Sequence, residues 1–284
     1  ETGILEEMQL RNFYYNPLQR YTMWDDVIYT TVISEPNIKV LLNTSVNDVV
    51  MKGKRIAAVK AWNINAYTEY TIAGTLFLDC TGDGILRLSG AKYRHGRENP
   101  EEFGETRLQE GNDAKTMGNS ILIQLRKTDV EVPFIAPDWA YHFTDADFDY
   151  EVPESTIPGM KFNYKRIYKA HDNNFWWCEF GGNFHTIADA NDIQFELKKI
   201  VYGIWEYMKN HPDGRAKGFE LDWIGALPAK RENTRFVGPH ILTEHDVVSG
   251  GHFPDVVAYG GWTLDDHHPD AFHKKGHISV EYTV

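Results

Sequence analysis

Apolar residues fall at helical spacing in two stretches at the start of the chain. Ile4, Leu5, Met8 and Leu10 predict a first helix in ETGILEEMQLRNFYY, and Met23, Trp24, Val27 and Ile28 predict a second after Pro17. The period then shortens. Lys39 to Leu42, Val46 to Met51, Arg55 to Ala61 and Glu69 to Ile72 are short β-branched segments separated by turn formers such as Lys52-Gly53-Lys54 and Asn63-Ile64-Asn65, which predicts an antiparallel meander. TLFLDC, residues 75–80, is a continuous apolar run of the kind that marks a strand buried on both faces, and Thr81-Gly82-Asp83-Gly84 and a helix are expected to follow it. Residues 96–190 are rich in Pro and aromatics and predict long loops with short strands. Ile193 to Met208 is the strongest helical pattern, with Ile193, Leu197, Ile200, Val201, Ile204 and Trp205 on one stripe and a stop at Asn210, Pro212 and Gly214. Short strands and loops dense in Gly, His and Asp follow Trp223, and HISVEYTV closes the chain as a strand-like segment.

Composition narrows the function classes. The 284 residues suffice for one large or two modest domains, at roughly 100 to 200 residues each. The formal charge of −12 comes without a concentrated basic stripe, which argues against nucleic acid and anionic membrane surfaces as partners. No apolar run approaches a membrane span, and two cysteines, Cys80 and Cys178, exclude a disulfide framework while leaving a single bridge open. The opening at Glu1, inside a helical pattern, suggests an excised piece of a longer protein.

Three passages could carry chemistry. A buried strand delivering Thr81-Gly82-Asp83-Gly84 at its carboxyl end would expose backbone N–H groups, a hydroxyl and a carboxylate where open α/β sheets bind ligands; a plain tight turn is the competing reading. Lys230, Arg231 and Arg235 cluster in an otherwise acidic chain, and a guanidinium suits a carboxylate or phosphate, although an ion pair with Glu232 or Glu244 explains the cluster equally well. Seven of the twelve histidines (His240, His245, His252, His267, His268, His273, His277) lie in the last stretch beside Asp246, Asp255, Asp265, Asp266 and Asp270. Their spacing matches no metal signature, so no metal ligand is assigned, and a single His remains a candidate acid or base. Phe175-Trp176-Trp177, Trp223 and Trp262 could stack on a sugar or heterocycle but fit a core as well, and the glycine pairs at 181–182 and 260–261 read as points of close backbone approach.

Taken together, FLDCTGDGILRLSGAKYRHGRE, KTMGNSILIQL, WWCEFGGNFHTIADA, YGIWEYMKN, LPAKRENTRFVGPHILTEHDV and VAYGGWTLDDHHP, following GILEE and the meander, resemble in order the FAD-dependent oxidoreductases with a glutathione-reductase-type flavin domain, a bacterial family some of whose members carry a xanthan-lyase label. The resemblance implies an α/β plus α+β architecture: a partial Rossmann-like FAD-binding domain with the meander over residues 1–98, joined to a mixed α+β substrate domain over 99–224, with 225–284 leading back toward the flavin domain. It implies FAD as cofactor, with Thr81, Gly82 and Asp83 against the flavin and the backbone of Val46 at the adenine. Arg231 is carried over for substrate binding and His267 for proton transfer in hydride removal from a small polar, carbohydrate-derived substrate. That family opens with GxGxxG and closes with a further flavin segment; neither is found here, so flanking segments of the same protein are expected partners and weak FAD affinity is expected of the chain alone. The compartment stays open between cytoplasm and periplasm. Two other classes compete: a metal-dependent hydrolase or lyase using the C-terminal His and Asp residues, and a carbohydrate-binding module built on the tryptophans.

Overall fold

The computed structural model describes residues 3–82, 84–106, 111–148, 174–260, 264–273 and 280–282. They form helices and strands whose pairings are all antiparallel, and the chain divides into two compact units, Glu1–His95 with Thr234–Ile241, and Gly96–Asn233 with Leu242–Val284.

The first unit begins with α1 (Ile4–Tyr15) and α2 (Tyr21–Ile33), the two predicted helices. The apolar residues of α1 form the helix without burying it: Ile4, Leu5 and Leu10 are exposed, and in α2 only Val27 is buried. The meander follows as β1 (Thr44–Lys52), β2 (Arg55–Asn63) and β3 (Thr68–Ala73), in sheet order β1-β2-β3. Lys52-Gly53-Lys54 turns β1 into β2 with Gly53 at φ +63°, a conformation that glycine enters at little cost. Β-branched and alanine side chains of the central β2 supply the buried positions, Ala58, Val59 and Ala61.

Two predicted strands are absent. Lys39 to Leu42 lies outside any strand, and so does TLFLDC, whose Leu76 and Leu78 are 79% and 85% exposed. An apolar run records a tendency to be buried, but a strand also needs a neighbour for its N–H and C=O groups, and no strand among the described residues pairs with 75–80. The segment after the glycine turn is a five-residue 3-10 helix, Ile85–Ser89, in place of a full helix. Β4 (Tyr93–Arg94) then pairs with β8 (Arg235–Phe236).

The second unit is built on a three-stranded sheet, order β6-β5-β7, of β5 (Asn119–Lys127), β6 (Asn174–Phe180) and β7 (Phe219–Ile224). One face of β5 carries Ile121, Ile123 and Leu125, and against this core lies α3 (Ala190–Asn210). Every member of the stripe read from the sequence, from Ile193 to Trp205, is buried. Each such side chain contributes roughly 1.5–3 kcal/mol of hydrophobic stabilisation, so α3 and β5 hold the unit together. The last turn of α3 is tied by Lys209, whose buried ammonium donates to the carbonyls of Ala216 (3.2 Å), Lys217 (3.1 Å) and Phe219 (2.6 Å). A short helix, α4 (Glu244–Val248), starts at a capping box between Thr243 and Asp246, and the predicted terminal strand appears as β10 (Val280–Tyr282), antiparallel to β9 (Leu264–Asp266). No helix among the described residues is long and apolar enough to cross a membrane.

Candidate functional site

In the first unit, the turn after residue 78 is organised by Asp79. Its Oδ1 accepts from the backbone N–H (3.1 Å) and hydroxyl (2.7 Å) of Thr81, and its Oδ2 accepts from the N–H of Leu86 (3.0 Å), so one carboxylate closes the turn and caps the 3-10 helix. Partial burial pushes the Asp79 carboxyl up, but these hydrogen bonds outweigh it and hold the group below the usual carboxylate range. The Thr81 hydroxyl also accepts from the N–H of Gly84 (3.1 Å). The two glycines differ. Gly82, at φ +81°, faces open space, whereas Gly84, at φ +89°, packs inward, where an added Cβ would stand 2.5 Å from Cε2 of Phe236. Asp83 lies outside the described residues.

Val46, half-buried on the edge strand β1, pairs with Ala61 immediately before a bulge that leaves Asn47 without a ladder partner, and β1 lies against the 3-10 helix that follows the turn. A bulge re-aims backbone at a sheet edge.

In the second unit, Arg231 and His267 meet on one residue, Glu179. Beyond β7 the chain keeps running beside β5: Gly225 donates to the carbonyl of Leu122 (2.8 Å), and Ala229 exchanges both backbone hydrogen bonds with Ser120. That pairing delivers Arg231 to the face of β5 that carries Ser120, opposite the core. Glu179, directly across from Ser120 on β6, accepts from the Ser120 hydroxyl (3.2 Å) and from Nη2 of Arg231 at Oε1. Its Oε2 stands 2.7 Å from Nδ1 of His267, which follows β9. Gly182 admits the segment that carries the histidine, for an added Cβ there would come within 2.6 Å of the Cα of Pro269. The glycine pair at 181–182 was therefore legible as a close approach.

Side-chain exposure is 6% for Glu179, 27% for Arg231 and 18% for His267, so the carboxylate is the most enclosed of the three. Burial pushes Glu179 up, yet the hydrogen bond and charge of His267 and the charge of Arg231 prevail and hold it ionised below its ordinary range. Nε of Arg231 and both amide atoms of Asn119 are buried without a hydrogen-bond partner among the described residues. Of the two readings of the basic cluster, the ion pair applies to Arg231, but with Glu179 in place of Glu232 or Glu244: Glu232 accepts from the N–H of Met117, and Glu244 from Thr106.

Sequence reasoning missed Asp79 and Glu179. A charge inside WWCEF was the available signal, because a carboxylate in an apolar strand persists only when it is paired. Trp176 is exposed, and Trp177 and Trp262 have side chains outside the described residues. Among the described residues no three His, Cys, Asp or Glu side chains converge as a metal site, and both cysteines are free thiols, Cys80 exposed and Cys178 buried. A separate cleft of about 350 Å³ opens at the C-terminal end of α3 between residues 143–145 and 206–212, and none of the predicted site residues lines it.

The profile of a family described as FAD dependent oxidoreductase matches residues 5–284 of the chain. No curated protein and no solved structure matches it.

Proposed function

The chain belongs to the FAD dependent oxidoreductases, and from that premise we propose that it removes hydride from a small polar, carbohydrate-derived hydroxyl compound, with His267 receiving the proton. FAD is the cofactor of the family, and it supplies a two-electron acceptor for the hydride. The turn after residue 78 suits such a group on one side only: Gly82 has positive φ and open space, so a flat ring system can approach its backbone, while the inward-packed Gly84 anchors the turn. Thr81 and Gly82, with Asp83, are assigned to hold the flavin, and the backbone of Val46 beside its bulge the adenine end. The partial flavin-binding portion is assigned to the first unit and the substrate portion to the second.

The observation that carries the reading is the convergence of His267 and Arg231 on the buried Glu179. Oxidation of a carbinol breaks a C–H and an O–H bond and forms C=O. Bound FAD would take the hydride, and the proton needs a base, which an imidazole with its other nitrogen on a carboxylate provides. Arg231 adds a fixed cation to the same cluster, and exposed Trp176 in the same unit supports a carbohydrate.

The test loads the purified chain with excess FAD, follows binding by flavin fluorescence, and then adds a panel of aldoses and polyols without oxygen. Bleaching of the flavin band by at least one compound, lost in His267→Ala, is expected. A protein that binds FAD and stays oxidised with every compound, or that is bleached as fast without His267, overturns the assignment.

A further inference from the structure

We propose that Glu179 is a positioning residue that holds His267 in the tautomer protonated at Nδ1, and that Arg231 serves this arrangement by holding the carboxylate in place. The inference deepens the oxidoreductase reading and rests on it for its chemical purpose, but its geometry is independent of the flavin.

A carboxylate accepts hydrogen bonds and cannot donate them when ionised, so the 2.7 Å contact between Oε2 of Glu179 and Nδ1 of His267 requires the proton on Nδ1. In the neutral imidazole the basic lone pair is then on Nε2. When Nε2 takes a proton, the resulting imidazolium already has its counter-charge in contact through Nδ1. The other oxygen of Glu179 is committed: Arg231 Nη2 and the Ser120 hydroxyl both donate to it. These two donors keep the carboxylate from rotating away from the ring and from taking the proton itself. Glu179 is placed by the β5–β6 ladder, which fixes its backbone opposite Ser120, and strands position such groups more accurately than loops do. His267 and Arg231 come from segments without regular structure, so the strand residue is the fixed point on which the other two are aligned.

The same reasoning changes the role of Arg231. With neutral His267 the charges of Glu179 and Arg231 cancel, and Nη2 of the guanidinium is committed to the cluster. Arg231 is thus a partner of Glu179 before it is a clamp for an anionic substrate.

Long-range ¹⁵N–¹H correlation spectra of the full chain labelled with ¹⁵N-histidine test this without substrate or flavin. The His267 signals are assigned by their loss in His267→Ala. Above its titration, wild-type His267 is expected to show the protonated-type shift at Nδ1 and the imine-type shift at Nε2. Glu179→Gln, whose amide can present either a donor or an acceptor, is expected to lose that preference and to titrate at lower pH, and Glu179→Asp to restore the preference in part. A wild-type spectrum with the proton on Nε2 overturns the proposal. So does an unchanged spectrum in Glu179→Gln. Failure of the redox reading would appear separately, as flavin that no compound reduces in a protein whose His267 tautomer is as described.

Discussion

Gly82 and Gly84 both lie at positive φ and differ in what surrounds them, so the same substitution at each should give different results. Their φ values, +81° and +89°, are sparsely populated backbone in which an alanine Cβ costs roughly 1–3 kcal/mol. At Gly82 nothing lies within 4 Å of the added methyl, so that is the whole expected loss. At Gly84 the methyl overlaps the Phe236 ring, and inserting a carbon into packed space adds about 1–3 kcal/mol. Gly84→Ala should therefore cost about 2–6 kcal/mol against about 1–3 kcal/mol for Gly82→Ala. Urea unfolding measures the difference, and hydrogen exchange over peptides spanning 84–94 assigns it to the first unit. Phe236→Leu removes the colliding ring atoms, and in that background Gly84→Ala should fall to the backbone cost alone. Function should run the other way: Gly82→Ala weakens FAD binding more than its small stability loss explains, because its methyl occupies the side of the turn assigned to the flavin. Equal losses at the two glycines, or no relief from Phe236→Leu, would refute the packing argument; undisturbed FAD affinity in Gly82→Ala would refute the assignment of the turn.

Two further outcomes follow from the second unit. Because Glu179 is held below its ordinary carboxylate range in the folded chain, its contribution to stability is fully present above the unfolded value of 4.5 and is lost as pH falls through the lower folded value; urea unfolding at successive pH values should show Glu179→Gln flattening this acid limb, and an identical limb in the variant would refute the coupling. Lys209→Met removes three hydrogen bonds, to carbonyls of which Ala216 keeps the N–H of Phe219, and should cost about 2–4 kcal/mol, at roughly 1 kcal/mol for each lost bond, with faster exchange in the last turn of α3; a neutral result would mean that water replaces the ammonium.

The parts of the fold that were legible in the sequence are those whose cause is local. Alpha3 could be read because its apolar residues repeat at the helical period and all face the same core, and the β1–β2 hairpin because Lys52-Gly53-Lys54 sits where its turn must be. In α1 the helix was legible and its exposure was not, since spacing says which residues share a face and not what covers that face. TLFLDC failed for the same reason: its composition reports a preference, and pairing depends on distant chain. Gly82 and Thr81 were placed correctly in a turn, yet Asp79, which builds it, was hidden inside an assumed strand, one residue before its end. Arg231 and His267 stood out by residue type, but the carboxylate between them is 52 residues from one and 88 from the other, and no local pattern spans such separations.

Β5 connects these observations. Ser120 on one side of this strand donates to the Glu179 cluster, while Ile121, the next residue, is completely enclosed beneath α3 on the other. A slip of one residue would exchange the two sides, driving a hydroxyl into the interior and an isoleucine among the charges. The alignment of the proposed proton acceptor and the packing of the core are thus written on alternate residues of a single ribbon, so a change that shifts one shifts the other.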